Sequence, residues 1–136
     1  MEKEKKYLSW SEIEIAVERL ASNIFNSNRG ITAITGLPRG GLIPAVMLSH
    51  KLKIPYIVNP QLVGGNVLLV DDICDTGETL KRFQNEPNII TCTIHYKRSA
   101  SYEPNFWYRM ADENIWIVYP WENKTSDTIQ DYKKIG

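Results

Sequence analysis

The sequence predicts an α/β fold: a central, mostly parallel sheet flanked by helices. Two patterns and one placement point to it. Short apolar segments bounded by turn residues alternate with segments of helical periodicity between residues 11 and 96, and that alternation builds parallel sheets. Val67 to Val70 is apolar at every position, as a strand covered on both faces should be. The two most unusual loops, 36–41 and 71–77, each follow a strand segment directly, and in such sheets ligands gather beyond the carboxyl ends of the strands.

Taken in order, residues 1–6 read as a solvated, frayed start. Ser11 and Glu14 form an S-x-x-E capping pattern. Ile13, Ala16, Val17, Leu20 and Ile24 then recur at helical spacing, and Asn28-Arg29-Gly30 ends the helix. Ile31 to Thr35 reads as a buried strand, and the turn-rich Gly36 to Gly41 as a loop. Leu42 to Leu52 is a second helix that tolerates Pro44 in its first turn. Pro55 to Val58 and Val67 to Val70 are strands, separated by a turn region at Asn59 to Gly65. A third helix starts at Gly77 and runs toward Gln84, and Ile89 to Tyr96 is a fourth strand. Further strands lie around 106–108 and 115–119, followed by a polar tail.

The chain has 136 residues, enough for one domain with its own core. It carries 16 basic and 16 acidic residues, so no broad field attracts nucleic acid or a membrane surface. An anion site must therefore be local. Cys74 and Cys92 form no CxxC pair, and two reduced thiols in a cytoplasmic protein are the simplest reading. The charged start lacks a following apolar stretch, which argues against a signal peptide. No apolar run approaches the roughly 18 residues of a membrane span.

The acidic turn 71–79 carries the most chemistry. Asp71 and Asp72 close an apolar strand; Asp75, Thr76, Gly77, Glu78 and Thr79 follow as a helix begins. The N–H groups of a helix start can hold a phosphate. Gly77 permits close backbone approach, and the two threonine hydroxyls can donate to the same phosphate. Adjacent carboxylates can accept from a vicinal diol and orient waters around Mg²⁺. Simple capping by Asp75 or Thr76 would explain the turn, but not an apolar strand running into two acids. Pro38-Arg39-Gly40-Gly41 suits a pyrophosphate, with N–H groups that approach closely and one guanidinium.

Four apolar residues, Asp-Asp, two residues, Asp-Thr-Gly and a threonine two positions on resemble the phosphoribosyl pyrophosphate (PRPP) motif of type I phosphoribosyltransferases. The resemblance implies that Asp71 and Asp72 hold the ribose hydroxyls with magnesium nearby. It implies that Asp75 lies near the attacking nitrogen of the base and that Asp75 to Thr79 wrap the 5′-phosphate. Pro38 to Gly41 then matches the family's pyrophosphate loop, with a cis peptide expected at Pro38-Arg39.

At the base end, Lys97 closes the fourth strand, and Trp116-Ile117 precedes Tyr119-Pro120-Trp121-Glu122. A lysine there can donate to a 6-oxo group, and an aromatic ring can stack on a planar base. With Tyr7 to Trp10 and the first helix, these segments resemble the bacterial xanthine-guanine phosphoribosyltransferases. That likeness implies stacking by Trp116, a 6-oxo contact from Lys97, backbone contacts from Ile117, and Glu122 near the 2-substituent. It makes the chain one domain, with 1–10 and 98–136 contributing a small hood. Relatives commonly form dimers or tetramers.

The implied reaction moves the phosphoribosyl group of PRPP to guanine, xanthine or hypoxanthine, releasing pyrophosphate, with Asp75 and Arg39 as catalytic residues. One departure supports an alternative. The family's long loop before the PRPP strand shrinks here to Asn59–Gly65 and lacks its serine-tyrosine element. A binding protein that senses PRPP or a nucleotide would keep the cradle and not need that lid. A transferase acting on a different base or amide is a further alternative.

Overall fold

The computed structural model describes residues 3–59 and 65–122. The expected connection at 59–65 falls almost entirely outside them, as does the polar tail. The elements are β1 (Glu4–Tyr7), α1 (Trp10–Ser27), β2 (Ile31–Gly36), α2 (Leu42–Leu52), β3 (Asn66–Cys74), α3 (Glu78–Lys81), β4 (Ile89–Tyr96), β5 (Phe106–Met110) and β6 (Ile115–Val118). Four strands form the main sheet in the order β2-β3-β4-β5, all parallel. A second, two-stranded sheet pairs β1 with β6, also in parallel.

Both faces of the main sheet are covered, as its apolar strands require. Successive strand residues point to opposite faces. Leu68 and Val70 of β3 pack with Ile13, Leu20 and Leu48 of the two long helices. Leu69 packs the other way, with Cys74, Leu80 and Tyr96 against Phe83, Tyr102 and Trp107. The sheet thus has a thick helical cover on one side and a thin cover of α3 and the 97–102 loop on the other.

Several boundaries differ from expectation. Residues 4–7 are not a frayed start but β1, because parallel pairing with residues 115–118 satisfies their backbone. The first helix starts earlier than the Ser11 pattern suggests. Ser9 is its cap, accepting from the Glu12 N–H at 3.1 Å, so the same S-x-x-E signature operates two residues upstream. That start puts Trp10 on the first turn, with its ring 6.0 Å from that of Trp121. The left-handed Asn28 ends α1 as expected.

The segment 55–58 gives only a single bridge, Ile34 to Tyr56, flanking β2. β3 is longer than the apolar run that announced it, continuing through both aspartates to Cys74. α3 is one turn, not a helix to residue 84. Beyond it the chain advances by i→i+3 bonds, Phe83 to Leu80 and Gln84 to Lys81. Pro87 bars any continuation past this segment, since Glu86 before it is driven out of the helical region. β5 joins the main sheet beside β4, so not all of the segment after residue 98 belongs to the small sheet. Among the described residues no helix is long and apolar enough to cross a membrane.

Candidate active site

Parallel strands bring their carboxyl ends to one edge, so the loops leaving β2, β3 and β4 meet there. Contacts between them are direct. The Leu37 N–H donates to the Val70 carbonyl at 2.8 Å, tying the glycine loop to β3. The Lys97 N–H donates to the Cys74 carbonyl at 3.0 Å, tying the end of β4 to the acidic turn.

The glycine loop lies against the aspartates. A Cβ on Gly40 would collide with the Asp72 carboxylate, and one on Gly41 would collide with the Val70 carbonyl. Both positions therefore need glycine for packing, whatever ligand they hold. Arg39 and Pro38 are exposed at the tip, and the Pro38–Arg39 peptide is cis, as expected. Gly41 also opens α2: its carbonyl accepts from Ala45 at 3.0 Å.

Asp71 and Asp72 lie inside β3 rather than at its end. Each carboxylate accepts from the next N–H, Asp71 from Asp72 at 2.9 Å and Asp72 from Ile73 at 2.7 Å. These short local bonds fix the direction of both side chains before any ligand arrives. In the turn that follows, Gly77 has φ +87°, and a side chain there would meet the N–H groups of Ser101 and Tyr102. The Thr76 hydroxyl accepts from Glu78 N–H at 3.2 Å. Glu78 is exposed and Thr79 half-buried on the single turn of α3. A helix this short has little dipole, so any anion at this turn would rely on the local N–H groups and hydroxyls of 75–79.

Lys97 is not a solvated lysine. Its side chain is 4% exposed, and its Nζ lies 3.1 Å from Asp75 Oδ1, while Asp75 is 42% exposed. A buried ammonium needs a partner, and here the partner is the acid that faces solvent at the edge. Glu122 is held by the turn it ends: its Oε1 accepts from the Tyr119 N–H at 2.8 Å. Burial raises the Glu122 pKa, and the negative Asp72 adds to the rise; the Tyr119 hydrogen bond and the positive Arg39 oppose it. Glu122 therefore feels Asp72 and the glycine-loop arginine together. Trp116 and Ile117 belong to β6, opposite Lys5 and Lys6 of β1. Ile117 packs on the main core, so Trp116, its neighbour along the strand, points away from that core.

The sequence reading missed two groups. Ser101 braces the acidic turn, its N–H and hydroxyl donating to the Thr76 carbonyl at 2.8 and 3.1 Å. His95 and Tyr119 form a buried pair beneath the site, Nδ1 to Oη 2.8 Å. Their only signal was a histidine within an apolar strand and a tyrosine within an apolar run.

The carboxyl edge of the parallel sheet thus joins an acidic strand end, a glycine loop and a buried lysine, an arrangement suited to a phosphorylated ligand. The phosphoribosyl transferase domain family matches residues 57–128, and the chain belongs to that family of transferases. It is similar to the xanthine-guanine phosphoribosyltransferase of Cereibacter sphaeroides, at 26% identity over 85% of this chain and 86% of the relative. The enzyme of the same description from Desulfotalea psychrophila is 24% identical over 87% and 86%. Among solved structures, a purine phosphoribosyltransferase from Pyrococcus horikoshii superposes with a TM-score of 0.73. It is 29% identical and covers 93% of this chain and 98% of its own. The Helicobacter pylori xanthine-guanine-hypoxanthine phosphoribosyltransferase shares the fold, with a TM-score of 0.73 at 19% identity and 98% and 97% coverage.

Proposed function

We propose that the chain transfers the phosphoribosyl group of PRPP to a 6-oxopurine, giving the nucleoside 5′-monophosphate and pyrophosphate in purine salvage. The observation that carries the reading is the Lys97–Asp75 pair at the sheet edge. It sets a buried cation beside a half-exposed acid next to the phosphate turn. A keto oxygen on the base can take a hydrogen bond from Lys97, freeing Asp75 to face the ring nitrogens.

In this reading Asp71 and Asp72 accept from the ribose diol, and residues 75–79 surround the 5′-phosphate. The glycine-loop N–H groups and Arg39 hold the pyrophosphate. The C1′–O bond to pyrophosphate breaks as the C1′–N bond to the base forms. Arg39 stabilises the charge that develops on the leaving group, and Asp75 accepts or balances the proton at the base. Trp116 stacks on the base, Ile117 supplies main-chain contacts, and Glu122 lies toward the 2-substituent.

Two partly exposed carboxylates beside the bare Gly40 and Gly41 suit Mg²⁺, which takes its other ligands from water and phosphate oxygens. No cluster of three or more metal-ligating side chains among the described residues would hold an ion alone. Bound with PRPP through Asp71 and Asp72, the ion would neutralise charge on the pyrophosphate. We place the protein in the cytoplasm, as a dimer or tetramer, with residues 1–10 and part of 98–136 forming the hood.

The test is to incubate the protein with PRPP, Mg²⁺ and guanine, xanthine or hypoxanthine in turn, and to follow pyrophosphate release. Base-dependent release is expected. PRPP binding without release for any base would replace this reading with the sensor that the short 59–65 segment suggested.

A further inference from the structure

Beneath the aspartate pair lies a buried polar chain that none of the ligand-binding roles uses. Tyr119 is 2% exposed and His95 is 8% exposed. The Tyr119 hydroxyl donates to the main-chain carbonyl of Asp72 at 3.2 Å and lies 2.8 Å from His95 Nδ1. A carbonyl can only accept, so the single phenolic proton goes to Asp72. His95 must then carry its proton on Nδ1 and donate to the phenolic oxygen. The ring of Tyr119 is stacked on Trp121 at 5.1 Å and 10°, and its N–H is held by Glu122.

We propose that Tyr119 is a positioning residue: gripped by His95, its hydroxyl pins the main chain at Asp72, so the 119–122 turn and the diol-binding carboxylate move as one body. The geometry supports this from both ends. Asp72 supplies its carboxylate to the Ile73 N–H and its carbonyl to Tyr119, so the peptide that sets the carboxylate's direction is held on two sides. His95 is anchored independently, since it pairs across the ladder with Ile73, the residue next to Asp72. The groups facing His95 from neighbouring elements are Tyr119, Lys6 of β1 and Arg109 of β5. The two cations oppose a charged imidazole and favour the neutral donor that the chain of bonds needs.

The consequence for ligands rests on the proposed function. Loosening Asp72 should weaken ligands that carry a ribose diol and spare inorganic pyrophosphate offered without Mg²⁺, which is left to the glycine-loop N–H groups and Arg39. The experiment compares wild type with Tyr119→Phe, which keeps the ring and removes the hydroxyl. His95→Leu and His95→Asn complete the set, because the asparagine amide places an N–H near the position of Nδ1.

Titration calorimetry with PRPP and Mg²⁺ should show about tenfold weaker binding for Tyr119→Phe and His95→Leu, the scale of one buried hydrogen bond. Binding of metal-free pyrophosphate should stay within about twofold, and His95→Asn should recover most of the PRPP affinity on the same reasoning. Equal losses for both ligands, or no loss for PRPP, would overturn the inference. Amide exchange read without ligand separates it from the functional reading: the Tyr119→Phe change should speed exchange across 71–74 and leave α2 unchanged. Unchanged exchange at 71–74 defeats the clamp even if the protein is a transferase. Wild-type protein that binds no PRPP defeats the functional reading even if the clamp is real.

Discussion

Histidine 95 should make the protein lose stability in mild acid, and by a calculable amount. Burial first, then the positive Lys6 and Arg109, lowers its pKa from the ordinary 6.5 to about 4. Below pH 6.5 the unfolded chain takes up a proton that the native chain refuses. The unfolded state is then favoured progressively as pH falls, until the native imidazole also titrates near pH 4. At 1.36 kcal/mol per pKa unit, the gap amounts to about 3 kcal/mol between pH 7 and pH 4.

The measurement is urea unfolding of wild type and His95→Asn at pH 7, 6, 5 and 4. Asparagine does not titrate, and Glu122, whose raised pKa acts in the opposite direction, is present in both proteins. The stability advantage of wild type at pH 7 should shrink by about 3 kcal/mol by pH 4. A difference between the two proteins that stays constant within about 0.5 kcal/mol across the series would refute the assignment of a neutral, buried His95.

Four further outcomes are expected. Arg39→Ala should cut turnover by a factor on the order of 10²–10³ with an unchanged thermal midpoint, because Arg39 is exposed and the task proposed for it is charge stabilisation; wild-type turnover would remove it from the site. Lys97→Met should change stability little, since the buried charge is replaced by an apolar chain of similar length and the Asp75 left behind is 42% exposed and keeps its water, yet lose activity with 6-oxopurines in the pyrophosphate-release assay. Gly40→Ala should weaken PRPP binding and lower stability by about 1–3 kcal/mol, because its Cβ collides with the Asp72 carboxylate; calorimetry and thermal unfolding read both. Cys74 is buried, and burial first, then the negative Asp71 and Asp75, pushes its thiol up to about 11. Native protein at pH 7 should therefore react with a disulfide reagent far more slowly than unfolded protein.

What the sequence disclosed follows from the range of each interaction. Local chemistry was legible: the helical repeat Ile13 to Ile24, the apolar β3 core, and a turn whose acids, glycine and threonines sit within nine residues of one another. Parallel topology was legible from the alternation of elements, and with it the meeting of the two loops at one edge. Long-range pairing was not. Nothing local distinguishes Glu4–Tyr7 from a solvated tail, because its partner lies over a hundred residues away. Lys97 was legible as a donor at a strand end, but its burial and its pairing with Asp75 were not, because both depend on the turn that leaves β3. The Tyr119–His95 pair needed three separate strands and a turn to come together before either side chain meant anything.

The pairing of β1 with β6 sets the order in which the molecule can be finished during synthesis. The strands of the main sheet are neighbours in sequence and can begin to associate as they emerge, because loop closure between them is short. Residues 4–7 leave the ribosome first but have no strand to join until residue 118 has been made. The main sheet can thus begin to associate while the small sheet stays open. A chain that ends before residue 115 should therefore carry the β2-β3-β4-β5 sheet with β1 still unpaired.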